Sequence, residues 1–391
     1  MEGESITLNF KEVLFDMMEK RASDLHIKVG SPPWYRIDGQ LVPSRFPVLN
    51  KKLVDTLVDN LCQGEFKDIL IANNEVDLAY RVSGMARFRV NIFKQRGTYE
   101  IVMRLIPMKI PNIGELNLPE VIKTICMETR GLILVTGATG TGKSTTLAAM
   151  IEHINGMRKC HIVTIEDPIE FIHKDRFASI SQREVTLDTA SFSTGLRSIF
   201  RQDPDVILIG ECRDIETMQT ALSAAETGHL VFSTLHTTDA METISRIIDM
   251  YPPYQQSQVR KLLASHLKAI ISQRLIPRSD GYGMVVAVEV MRLTSTISEY
   301  IQRPEETHKI LDLIEEGAEQ YQMQSFDMSL MALYKKGLIT LETALVAATN
   351  PSGFKLKLKG IDEKNYNVSP FQQEEQDREQ TGLSFDRGFE F

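Results

Sequence analysis

Gly131-Leu132-Ile133-Leu134-Val135-Thr136-Gly137-Ala138-Thr139-Gly140-Thr141-Gly142-Lys143-Ser144-Thr145 decides the fold of this chain. The apolar run 131–136 reads as a strand buried on both faces, and Thr145–Ile151 reads as a helix of good formers. Between them lies Gly-x-x-x-x-Gly-Lys-Ser, the pattern of a phosphate-cradling loop. Glycines at 137, 140 and 142 allow backbone N–H groups to turn inward where side chains would obstruct them. The new helix adds its positive end at the same spot. The stretch 137–145, with Gly137, Ala138, Thr139, Gly140, Thr141, Gly142, Lys143, Ser144 and Thr145, is therefore expected to bind a nucleoside triphosphate. Lys143 would reach the β- and γ-phosphates, and the Ser144 hydroxyl would hold Mg²⁺.

Working outward, further apolar runs at Leu132–Val135, His161–Ile165, Val206–Ile209 and Leu230–Leu235 alternate with helical patterns. That order predicts a largely parallel sheet with helices on both faces. Two of these strands end in acids, and open α/β sheets place ligands at such ends. Asp205-Val206-Ile207-Leu208-Ile209-Gly210-Glu211 offers Glu211 to the Mg²⁺ and water shell. His161-Ile162-Val163-Thr164-Ile165-Glu166-Asp167-Pro168 offers Glu166 to align or deprotonate water. The residues alone leave the division of labour between Glu211 and Glu166 open. His229 and His236 flank Leu230–Leu235, and neither makes a metal pair. His236-Thr237-Thr238-Asp239 stands at a strand C-terminus, where a γ-phosphate sensor could sit.

Upstream, residues 5–20 carry apolar residues at helical spacing, and 23–30 alternate as a strand. Trp34–Ile37 and Gln40–Val42 read as a hairpin turning at Asp38-Gly39, and Leu53–Leu61 as a helix. Val76–Val82 and Arg87–Phe93 read as a second hairpin turning near Ser83-Gly84, followed by a strand over Glu100–Leu105. These elements predict a small mixed α/β domain over 1–106. Pro107, Pro111, Asn112 and Gly114 suggest a linker over 107–116, leading to an ATPase domain over 117–361. Beyond about residue 285 the chain reads as mostly helical. One helix is expected from Gln324–Asp327 to Lys336, stopped by Gly337, and another from Thr340 to Asn350-Pro351. Residues 362–391 are acidic, poor in aliphatics, and expected to be a mobile tail. Arg87 and Arg89 share a strand face by the period of two. They read as a solvated face or as fingers closing over triphosphate, within the chain or across a subunit boundary.

Composition bounds the rest. The chain has 391 residues, 42% hydrophobic and 25% charged, with room for two or three domains. A net charge of -8 and the lack of aromatic-basic stretches argue against nucleic-acid binding. The apolar runs are too short to span a bilayer, and the first residues carry no export signal. Cys62, Cys126, Cys160 and Cys212 form no C-x-x-C pair, so neither a zinc site nor a disulfide framework is expected.

With these segments placed, the chain resembles the PilT/PilU-type retraction ATPases of type IV pilus systems, within the secretion ATPase superfamily, from about residue 5 to residue 361. The resemblance rests on Ser23-Asp24-Leu25-His26, Arg87-Phe88-Arg89-Val90-Asn91, the phosphate loop and Ile165-Glu166-Asp167-Pro168-Ile169-Glu170. Gly210-Glu211-Cys212-Arg213-Asp214, Thr227-Gly228-His229 and Leu235-His236-Thr237 complete the set. It implies an N-terminal PAS-like α/β domain and a C-terminal RecA-like P-loop ATPase domain with a mainly parallel sheet and C-terminal helices. By the same resemblance Glu166 belongs to the Asp box, Glu211 to the Walker B motif, and His229 and His236 to the His box. Arg89 and Arg104 match the arginines that reach ATP from the N-terminal domain. A homohexamer is implied, acting at the cytoplasmic face of the inner membrane on a pilus platform protein so that pilins leave the fibre in twitching motility. Where the family usually carries Ala-Ile-Arg-Asn-Leu-Ile-Arg-Glu, this chain has Thr296-Ile297-Ser298-Glu299-Tyr300-Ile301-Gln302-Arg303. That departure favours a PilU-like accessory motor working beside a paralogue. Pilus-extension and type II secretion assembly ATPases are the neighbouring alternative; they usually carry a four-cysteine zinc module, which is not found here. A nucleotide-binding regulatory module without turnover is the alternative from another class, and Lys143, Glu166 and Glu211 together argue against it.

Overall fold

The structure, a computed structural model, describes residues 9–37, 39–82, 86–106 and 109–359. The expected turn residues Asp38 and Ser83-Gly84, the linker residue Pro107 and the tail 362–391 lie outside them. Contacts group the described residues of 1–112 with 147–195, and those of 113–146 with 196–359.

In chain order the strands are β1 (Asp24–Lys28), β2 (Trp34–Ile37), β3 (Gln40–Pro43), β4 (Glu75–Val82), β5 (Ala86–Gln95), β6 (Thr98–Ile106), β7 (Gly131–Thr136), β8 (His161–Glu166), β9 (Ser179–Glu184), β10 (Val206–Ile209), β11 (Leu230–Leu235), β12 (Leu267–Pro277) and β13 (Met284–Arg292).

In the first unit an antiparallel sheet runs β3-β2-β1-β6-β5-β4. Strand β5 alternates as its sequence predicts. Ala86, Phe88, Val90 and Ile92 are buried, while Arg89 is exposed. The inward residues pack with Val13, Leu14 and Met17 of the helix Phe10–Glu19 and with Val54 and Val58 of the helix Lys51–Leu61. Each fully buried large apolar side chain of this kind contributes about 1.5–3 kcal/mol. Asn50 caps the second helix by accepting from the Leu53 N–H. A further helix, Glu65–Asn73, has little amphipathic signal and went unread in the sequence. The same unit holds the parallel pair β8 and β9, with Glu166 opposite Glu184.

In the second unit the strand order is β13-β12-β7-β11-β10. Strands β10, β11, β7 and β12 are parallel, with every residue of β7 and β11 buried. Strand β13 turns back antiparallel to β12 over nine residue pairs. The mostly helical region expected from about residue 285 is present, but β13 delays its start to Ser295. Buried Ser272, Gln273 and Glu289 interrupt the apolar runs of β12 and β13 and disguise them. Helices begin only at Ser295–Gln302 and continue through Phe326–Lys335, Leu341–Ala347 and Pro351–Leu358. The helix expected at Gln324–Lys336 thus starts at Phe326, capped by Ser325. Phe326, Leu330 and Phe354 from these helices pack on Ile276, Val285 and Ala287. Among the described residues no helix is long and apolar enough to cross a membrane. None of the four cysteines is in a disulfide.

Candidate active site

At the C-terminal end of β7 the chain turns sharply and enters the helix Lys143–Met157. Gly137 has φ 146°, and a Cβ there would stand 2.6 Å from the Gln273 carbonyl oxygen of β12. Only glycine lets the loop pass so close to the neighbouring strand. Gly142 has φ 89°, the conformation that turns the loop into the helix. The amides of 137–145 thus surround a helix N-terminus, which is what an anionic phosphate chain requires.

Lys143 is buried, and its ammonium donates to the carbonyls of Gly137 at 2.8 Å and Ala138 at 2.9 Å. Its Nζ also lies 3.5 Å from His236 Nδ1. On the other side of that ring, His236 Nε2 is 3.0 Å from Glu211 Oε1. Arg213 holds the second oxygen of Glu211 at 2.8 Å. Three of the sequence-predicted residues are therefore joined as Lys143, His236, Glu211. An ammonium against Nδ1 and a carboxylate against Nε2 suit a ring that accepts at Nδ1 and donates from Nε2. Thr234 donates to the Gly210 carbonyl at 2.7 Å, which ties the turn before Glu211 to β11.

Ser144 follows Lys143 on the first turn of the helix, half-buried beside the loop. No group of three His, Cys, Asp or Glu side chains able to hold a metal occurs among the described residues. A hydroxyl and a carboxylate are hard oxygen donors suited to Mg²⁺, which usually fills its remaining positions with phosphate oxygens and water. Ser144 and Glu211 fit that ion.

His229 stands apart from this cluster. It precedes β11, and its carbonyl accepts the N–H of Gly131 at the start of β7. The six residues of β11 separate it from His236, roughly 23 Å over seven steps at the usual rise. Its Nδ1 lies 3.0 Å from the Ala224 carbonyl and 3.1 Å from the Thr227 hydroxyl.

The remaining candidates belong to the first unit. Glu166 ends β8, and its Oε1 accepts from Thr164 Oγ1 at 2.6 Å and Gln182 Nε2 at 3.2 Å. Burial pushes its carboxyl above the ordinary value, and the Thr164 and Gln182 hydrogen bonds oppose the rise. Such a carboxyl is suited to take a proton from water. Arg89 and Arg104 are directly opposite across β5 and β6, with exposed side chains. Arg104 donates to the buried carboxylate of Asp24 at 2.7 Å, while Arg89 approaches Asp77 only at 3.8 Å. Arg87, the other member of the expected finger pair, is instead engaged by Glu184 at 3.0 Å. Glu184 also accepts the Ile169 N–H at 3.1 Å, so Arg87 holds the loop after Glu166. The sequence reading had not assigned Thr164, Gln182, Ser272, Gln273 or Glu289. A hydroxyl, amide or acid interrupting an apolar strand is the signal that marks the last three.

The type II/IV secretion system protein family model matches residues 2–332. The chain is 44% identical over 347 residues to the type IV pilus retraction ATPase PilT of Pseudomonas aeruginosa, covering 89% of this chain and 100% of that protein. It is 41% identical over 353 residues to the type IV pilus ATPase PilU of the same organism, covering 90% of this chain and 92% of PilU. The crystal structure of the pilus retraction motor PilT with bound ADP superposes with a TM-score of 0.83 at 43% identity, covering 88% of this chain and 98% of that one.

Proposed function

The chain belongs to the type II/IV secretion system protein family, and on that premise we propose that it is an ATP-hydrolysing motor that drives type IV pilus retraction. The reading is carried by one observation: Lys143, His236 and Glu211 meet in hydrogen-bonding distance at the mouth of a glycine-bent phosphate loop.

In this reading the amides of 137–145 and the helix N-terminus receive the triphosphate of ATP. Lys143 exchanges the two loop carbonyls for β- and γ-phosphate oxygens. Ser144 and Glu211 hold Mg²⁺, which when bound neutralises phosphate charge. Glu166 aligns water and takes its proton, while His236 orients Glu211 and reports the γ-phosphate. Arg89 and Arg104, exposed side by side, meet the charge that develops in transfer. His229 takes part only from the far end of β11. We assign 1–106 to the PAS-like domain, 107–116 to a linker, 117–361 to the RecA-like ATPase domain and 362–391 to an acidic tail.

The working form is a homohexamer at the cytoplasmic face of the inner membrane, acting on the pilus platform protein. A second reading, an accessory motor dependent on a paralogue, is favoured by Thr296–Arg303, where the family's usual helix element is replaced. Phosphate release by the purified protein tests the chemistry: Lys143→Ala should abolish nucleotide binding, and Glu211→Gln should bind without turnover. Imaging of surface pili after deletion tests the role. Accumulated fibres support retraction, bald cells overturn it in favour of extension, and accumulation on loss of the paralogue alone, with this chain still present, identifies the accessory form.

A further inference from the structure

Glu289 is a buried carboxylate that the proposed chemistry does not use. It is 3% exposed, on β13, directly opposite Ser272 of β12, which is itself opposite Thr136 of β7. The three side chains form one level across three strands, and none is open to water. Thr136 and Ser272 join their hydroxyls at 3.0 Å, and Ser272 faces Glu289 as its direct partner across β12 and β13. The other partner of Glu289 is the N–H of Ala240, 2.8 Å from its Oε1.

Both ends of this chain of contacts lead to the nucleotide site. Thr136 is the last residue of β7, immediately before Gly137. Ala240 opens the helix Ala240–Asp249, which follows the segment that carries His236. That segment is pinned to its helix, because Thr237 Oγ1 lies 2.7 Å from Thr243 Oγ1, which donates to the Asp239 carbonyl at 2.6 Å. A displacement of Ala240 is thus carried to His236 four residues away. Next to Ser272, Gln273 donates to Thr146 of the loop's helix at 2.7 Å. The same strand therefore touches the loop on both sides.

We propose that Glu289 is a positioning residue of the nucleotide site, holding the strand before the phosphate loop and the segment bearing His236 in one register through Ser272 and the Ala240 amide. Polar groups stacked across three strands can do this because they are dry, and a buried polar network either has its members satisfied or gives way. The charged neighbours are Asp239 and Arg274. The inference rests on the reading of His236 given above.

Steady-state ATP turnover and ADP binding should be measured for the parent protein, Glu289→Ala, Glu289→Gln, His236→Ala and the double variant His236→Ala/Glu289→Ala. Glu289→Ala should lower kcat about tenfold or more while ADP affinity stays within about threefold. Glu289→Gln keeps an acceptor for the Ala240 N–H and should recover at least about a third of parental kcat. In the His236→Ala background, Glu289→Ala should change kcat by less than about twofold, since the residue acts through the one already removed. If Glu289→Ala fails to fold, Ser272→Ala serves in its place, with the same dependence on His236. Parental kcat in the alanine variant, or an equal loss in both backgrounds, overturns the inference alone. Parental turnover by His236→Ala overturns the site reading and the inference with it.

Discussion

Replacement of Glu289 by glutamine should stabilise the protein, and increasingly so as pH rises. Burial pushes this carboxyl from an ordinary 4.5 up to about 7, with Asp239 adding to the rise and the Ala240 amide, Arg274 and Ser272 opposing it. A raised folded value means that the proton is bound more tightly in the native state. The stability it contributes is complete below 4.5 and is lost as pH climbs through about 7. Between pH 5 and pH 8 the loss amounts to about 2.5 kcal/mol, from roughly 1.4 kcal/mol per unit of displacement over the window in which the two states differ. Glutamine has no such titration and can still accept from the Ala240 N–H. The stability difference between Glu289→Gln and the parent should therefore shift by that amount in favour of glutamine across the window. Urea unfolding followed by circular dichroism at pH 5, 6, 7 and 8 measures it, and taking the difference cancels the other titrating groups. A difference that is flat with pH would refute the reasoning, because Glu289 would then titrate as it does in the unfolded chain.

Gly137→Ala should weaken nucleotide binding about tenfold or more, since its Cβ would meet the Gln273 carbonyl at 2.6 Å and an alanine at φ 146° is itself strained; parental affinity for ADP in a titration would count against the loop geometry. Turnover should fall on acidification through a value above the ordinary carboxyl range, because Glu166 must be ionised to take a proton and burial raises it. Gln182→Leu removes one donor that opposes that rise, so the acid limb of kcat should move to higher pH, and an unmoved limb would show that the contact is idle. Arg87→Ala should destabilise the protein by about 1–3 kcal/mol by stranding Glu184, whereas Arg89→Ala should stay within about 0.5 kcal/mol. Fluorescence of Trp34, the single tryptophan, follows urea unfolding of the unit that holds both arginines, and equal effects would contradict the assigned pairing.

Local chemistry was legible in this chain, and contacts between distant residues were not. The glycine spacing of 137–142 reads directly because it reports a backbone requirement confined to a few residues, and the observed φ values at Gly137 and Gly142 express it. Strands β7, β10 and β11 read as apolar runs because both their faces are dry. In β5 the alternation placed Phe88 inward, with Arg87 and Arg89 on the other face. The same rule could not separate those two arginines. Period two fixes a face, but the partner that engages Arg87 is Glu184, 97 positions away. Likewise His229 and His236 look equivalent as two histidines bracketing one strand, until the parallel pairing of β11 with β7 puts only His236 at the end where the loop lies. The hidden strands carry the most telling lesson. Ser272, Gln273 and Glu289 break the apolar pattern, and for that reason β12 and β13 escaped notice. A polar group is kept in a dry sheet only when something fixed there needs it. The residues that obscured the fold are the ones that reach Thr136, Thr146 and Ala240, so an acid or amide interrupting a buried strand reads better as a pointer towards the site than as the end of the strand.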